Sequence, residues 1–133
     1  MDLVGAWWLV EWRIAHAGGR ISHPFGRDAT GLLCYTHDGH MSATVTRAAR
    51  PPLPGSAAGQ AAVQARAEAF ASFFCCAGRY EVRDGQVAHD VEMALDPAAA
   101  GTTQIHELNF DDDRLILAAA EGGRWHTLIW RRA

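Results

Sequence analysis

Histidines set into apolar strands are the residues through which this chain could do chemistry. In the run 86–95, His89 alternates with Val87, Val91, Met93 and Leu95, while Asp90 and Glu92 fall on the opposite, solvent-directed face. An imidazole among aliphatic side chains must find a hydrogen-bond partner or stay neutral, because burial penalises its charged form. His89 is therefore either a satisfied core histidine or a cavity group that orients a ligand or moves a proton. Gln104, His106, Leu108 and Phe110 repeat the mixture on one face of the run 102–110. Near the end of the chain, His126, Leu128 and Trp130 alternate with Trp125, Thr127 and Ile129. Tyr35, Arg79 and Tyr80 could add further polar atoms, with a structural salt bridge as the plainer role for Arg79. One polar atom per strand among apolar neighbours is the composition of a small-molecule pocket. The candidate ligand contacts are thus His89, Tyr35, Arg79, His106 and Met93, with Phe70 and Phe74 from a helix described below. The same groups admit catalysis, with His89 or His106 as general acid-base and Tyr35 or Arg79 stabilising an oxyanion.

Other chemistries find less support. His37 and His40 flank an Asp38-Gly39 turn, but no third ligand follows at a recognised zinc spacing, so no metal is expected. Ser42 and Ser72 lack the surroundings of an activated nucleophile. There is no glycine-rich phosphate loop and hence no expected cofactor. Every basic residue is Arg, which excludes side-chain Schiff-base chemistry. Cys34, Cys75 and Cys76 are odd in number and two are adjacent, which reads as ordinary thiols rather than a disulfide framework.

These residues need strands to position them, and the chain supplies strands in quick succession. Runs at 4–14, 31–36, 40–47, 78–83, 86–95, 102–110, 114–120 and 124–132 are β-branched, aromatic or alternating. The turns between them fall at Gly18-Gly19, His37-Asp38-Gly39, Asp84-Gly85, Asp112 and Gly122-Gly123. In the run 40–47, Met41, Ala43 and Val45 form the apolar face. The segment Pro51-Pro52-Leu53-Pro54-Gly55-Ser56 interrupts the sheet. A helix is expected over 57–76, capped by Ser56, with Val63, Ala67, Phe70 and Phe74 on one stripe and the two adjacent cysteines at its end. That stripe either seals one end of the fold or forms a lid over a ligand. Short consecutive strands with tight turns favour an all-β, up-and-down antiparallel barrel of about nine strands plus this one helix.

The two termini show how such a sheet would close. Gly5 lets the first strand bend tightly, Trp7 can plug the floor, and Arg131 or Arg132 from the last strand can stack on the indole and donate to nearby carbonyls. This Gly-x-Trp opening resembles the calycin group. The stretch Pro24-Phe25-Gly26-Arg27-Asp28-Ala29-Thr30-Gly31-Leu32-Leu33-Cys34-Tyr35, continuing to Ala43, resembles the bacterial lipocalin-like domain family. So do Ala77-Gly78-Arg79-Tyr80-Glu81-Val82, His89-Asp90-Val91-Glu92 and Trp130-Arg131-Arg132. The resemblance spans nearly the whole chain and implies a small antiparallel barrel around a cavity.

At 133 residues with 49% hydrophobic content, one domain over 1–133 is sufficient. The net charge of -3, with signs interspersed, offers no basic field for nucleic acid. No apolar run reaches a membrane span. Met1 runs almost directly into the first strand without a leader pattern, so a cytoplasmic protein is expected. Ile116 and Leu117 point to opposite faces, which permits a homodimer. The preferred function is binding of a small, largely apolar molecule in the barrel. The alternative is an isomerase, cyclase or hydro-lyase acting on a polyketide- or terpenoid-like intermediate.

Overall fold

The computed structural model describes residues 2–54 and 62–133. Nine strands follow one another: β1 Gly5–Ala15, β2 Ile21–Ser22, β3 Thr30–Tyr35, β4 His40–Thr46, β5 Phe73–Arg83, β6 Gln86–Ala94, β7 Thr103–Asp111, β8 Arg114–Glu121 and β9 Arg124–Arg132. Among the described residues, one helix, α1 Val63–Ala71, lies between β4 and β5, and a short turn of 3-10 helix, Pro97–Ala99, lies between β6 and β7. From β3 onward each strand pairs with its sequence neighbour, and β1 pairs with both β3 and β9. All these pairings are antiparallel, so eight strands close a barrel and β2 extends it as a two-residue addition to β1. The up-and-down barrel expected from the strand spacing is the observed fold.

Closure is built from the residues at the termini. The Arg132 guanidinium lies 4.0 Å from the Trp7 ring centroid. It donates to the Val4 carbonyl at 2.7 Å and to the Asp2 carbonyl. Trp7 is fully buried and spends its indole N–H on the Leu3 carbonyl at 2.9 Å. Gly5 has φ of 126°, and a Cβ there would sit 2.8 Å from Arg132 Nη1. A side chain at this position would therefore push the arginine off the indole as well as strain the backbone. Arg131 takes no part: it stands opposite Trp8 on the outer wall and is exposed.

Above this floor the interior is packed by Leu3, Tyr35, Met41, Val87, Val91 and Leu115. Met41, Ala43 and Val45 all point inward, as their alternation requires. The opposite end of the barrel is hollow. The connection that leaves β4 at Thr46 and carries α1 departs from that hollow end, because Thr46 pairs with Thr30 at the far edge from the floor.

Two expectations need correction. The helix was expected over 57–76, but α1 stops at Ala71 and β5 begins at Phe73. Phe74, Cys75 and Cys76 are strand residues that stand opposite Val45, Thr44 and Ala43 of β4. The apolar run at 70–76 fits both periods, and the open edge of β4 decides for the strand because it offers the backbone a full ladder of partners. Within α1 itself, Val63 is exposed and Phe70 is 49% exposed, so the expected stripe does not pack. The expected cap Ser56 and the helical start at 57–61 lie outside the described residues.

The second correction concerns Met93. The β5–β6 ladder pairs Ala77 with Met93 and then Gly78 with Val91, which leaves Glu92 as an extra residue in a bulge. Alternation restarts on the other foot: Met93 is 63% exposed, and Ala94 packs against the core in its place. Gly78 makes this possible, since a Cβ there would overlap the Asp90 carbonyl oxygen.

Candidate functional site

The hollow end of the barrel is a cavity of about 680 Å³. Its walls are apolar, with Leu33 from β3, Ala43 and Val45 from β4, Phe74 from β5, Leu117 from β8 and Leu128 from β9. Small side chains contribute much of the room: Ala43 and Ala119 stand where larger residues would fill it. The cavity reaches the surface beside Glu121, whose side chain is 73% exposed. No described residue of α1 lines it.

Besides Glu121 at the mouth, polar atoms come from four strands. His89 on β6, Gln104 and His106 on β7, His126 and Trp130 on β9, and Trp12 on β1 all border the space. His89 is 4% exposed, and its Nε2 lies 2.7 Å from the Tyr35 hydroxyl. Tyr35 stands behind it, packed edge-on against Tyr80 at 4.7 Å between ring centroids. The imidazoles of His89 and His106 are 4.9 Å apart, centroid to centroid. On the far side, the Trp12 indole donates to His126 Nδ1 at 3.2 Å, with the two rings roughly stacked.

Burial sets the protonation of these groups. It drives the His89 pKa down to about 3, with the neighbouring His106 adding to the effect. Burial also lowers His106, assisted by His126. His126 is lowered by burial too, opposed by Glu121 and assisted by Arg124. The Tyr35 phenol is pushed up by the same desolvation, with Tyr80 and Cys76 contributing. Every one of these groups is uncharged at neutral pH. With both groups neutral, the Tyr35–His89 bond forms either with the phenol donating to Nε2 and the His89 proton on Nδ1, or with Nε2–H donating to the phenol oxygen. The Cys76 thiol is raised to about 11 by burial and then by Cys75, so it is no nucleophile.

Three buried polar atoms of residues that line this cavity have no hydrogen-bond partner among the described residues: His106 Nδ1, His126 Nε2 and Trp130 Nε1. Glu121 approaches His126 Nε2 only to 3.7 Å, too long for a hydrogen bond.

Of the residues singled out from the sequence, the structure brings His89, His106 and Phe74 to the cavity, with Tyr35 directly behind His89. Arg79, Met93 and Phe70 are exposed and outside it. Arg79 stands on the outer wall opposite His40 and Asp90. It makes no ion pair among the described residues. His40 is occupied with Asp38 at 3.2 Å, and Ser72 Oγ closes the end of α1 by donating to the Ala69 carbonyl at 3.0 Å. Sequence reasoning missed Trp12. A bulge in β1 between Leu9 and Glu11 shifts its parity, and nothing in the local alternation announces that shift.

Two solved structures share this architecture. A lipocalin-like protein from Bacteroides uniformis ATCC 8492 matches with a TM-score of 0.53 at 12% sequence identity, over 100% of this chain and 100% of that one. An uncharacterized protein from Bacteroides eggerthii DSM 20697 matches with a TM-score of 0.51 at 11% identity, over 99% of this chain and 100% of that one. At such identities the likeness speaks for the fold alone. No protein of curated function matches the sequence. Among the described residues, no helix is long and apolar enough to cross a membrane. The sequence profile of the lipocalin-like domain matches residues 4–133, and the chain belongs to that family.

Proposed function

We propose that this barrel binds one small, largely apolar molecule in its hollow end. The observation that carries the reading is a cavity of about 680 Å³ with apolar walls and a few polar atoms among them, which is the make-up of a small-molecule pocket. Affinity would come from apolar area removed from water, at roughly 25 cal/mol per Å². Orientation would come from His89, His106, His126 and Trp130. The three cysteines carry no disulfide, which supports a reducing compartment and hence the cytoplasm. A neutral lipophilic dye such as N-phenylnaphthylamine should bind saturably with blue-shifted emission. Ala119→Trp, which fills the cavity, should abolish that signal while the protein still unfolds cooperatively. Equal dye binding by both proteins would remove the cavity as the site.

A second reading rests on the Tyr35–His89 bond of 2.7 Å beside the His106 ring. It makes the protein an isomerase, cyclase or hydro-lyase for a polyketide- or terpenoid-like intermediate, with His89 or His106 as general acid-base. A His89 pKa of about 3 leaves a weak base at neutral pH, and Arg79 is exposed on the outer wall, so binding is preferred. His89→Gln separates the two: turnover would collapse, whereas binding would weaken only several-fold.

A further inference from the structure

Resting on the cavity-binding reading, we infer that the ligand is an uncharged, largely apolar molecule bearing a carbonyl-type oxygen, received by the indole N–H of Trp130, with the Nε2–H of His126 a second, separate donor four residues back along β9. The donor character of both groups follows from bookkeeping of protons. An indole nitrogen can only donate, and Trp130 is 2% exposed with no partner among the described residues. His126 accepts at Nδ1 from Trp12, so in its neutral form the proton is on Nε2, which likewise lacks a partner. A buried indole N–H with nothing to donate to, and an imidazole N–H that Glu121 approaches only to 3.7 Å, cost stability unless an acceptor arrives. His106 Nδ1 is also unpartnered, and its tautomer is free to suit a ligand hydroxyl or carbonyl.

The absence of charge follows from the lining. No guanidinium lies among the described residues that border the cavity, and the chain has no lysine. The segment 55–61 contributes no charged side chain either. The one ionisable acid at the cavity is Glu121, at its mouth, and it would repel an anion. Burial also keeps the imidazoles uncharged. A carboxylate drawn into this space would give up its hydration for neutral donors alone, whereas a ketone, ester or amide oxygen surrenders far less.

The test uses three probes on one skeleton: naphthalene, its methyl ketone and its carboxylate, titrated into the whole protein at mildly alkaline pH. The ketone should bind saturably and the carboxylate at least about tenfold more weakly, as expected for an ion buried without a counter-charge. Trp130→Phe should weaken the ketone about five- to tenfold more than it weakens naphthalene, the net worth of one hydrogen bond. Should that variant fail to fold, the Trp130 indole proton in the unsubstituted protein provides the readout: its NMR resonance should move downfield with the ketone relative to the naphthalene complex. Carboxylate binding as tight as the ketone overturns the inference. So does an indole resonance that does not distinguish ketone from naphthalene; in that case naphthalene binding would leave the apolar-cavity reading standing. Binding of none of the three overturns both.

Discussion

His89 is held neutral by its surroundings, and that has a cost in acid. Its pKa falls from 6.5 in the unfolded chain to about 3 in the barrel. Between those values the unfolded state binds a proton that the native state refuses. Stability is therefore full above about pH 6.5 and declines as pH falls towards about 3, by ~1.4 kcal/mol per pH unit for this one group. Urea midpoints measured from neutral pH down to about pH 4 should show this decline, and His89→Gln should make it shallower. Tyr35→Phe tests the other half of the pair. It removes the hydrogen-bond partner of a buried Nε2 and should lower stability by about 1–3 kcal/mol in urea unfolding. Tyr80→Phe, which removes only an exposed bond to the Thr36 carbonyl, should cost less than about 1 kcal/mol. His89 was legible as an inward histidine because its neighbours Val87 and Val91 alternate with charged residues. Its partner was not legible, because Tyr35 lies 54 residues away in sequence and only the barrel brings the two rings together.

At the scale of the element, the hairpin β5–β6 shows how one extra residue redirects a strand. Asp84-Gly85 marks the turn in the sequence, and both residues adopt positive φ as a tight hairpin requires. Past Val91 the alternation reads as if it continued, yet the bulge at Glu92 turns Met93 outward. Met93→Ser should thus change stability by less than about 0.5 kcal/mol. Val91→Ser, on the buried side of the bulge, should cost about 2–4 kcal/mol. Gly78→Ala should cost about 3 kcal/mol or more in the same unfolding assay, because the Asp90 carbonyl occupies the space a methyl group needs. The helix boundary failed for a related reason. Phe73 and Phe74 satisfy an amphipathic period as well as a strand, and local pattern cannot weigh a ladder with β4 that forms only in three dimensions.

For the molecule as a whole, closure rests on Arg132 stacked over Trp7 and bonded to the chain entering β1. Arg132→Met should destabilise by about 2 kcal/mol, from the lost cation–π contact and charged hydrogen bonds. Arg131→Ala, on the outer wall, should change stability by less than about 0.5 kcal/mol in the same measurement. The amino-acid sequence by itself determined the strand succession apart from the short β2 and the start of β5, the turns, the inward faces of β4 and most of β6, and the meeting of the two ends. Those features depend on contacts within a strand, a turn or a pair of neighbouring strands, which period and turn chemistry report. Tertiary structure alone decided where parity breaks, that Tyr35 serves His89, that Arg79 looks outward, and that one end of the barrel is packed while the other is hollow. Volume left inside a closed sheet is the sum of side chains from eight strands, and no segment carries that sum by itself.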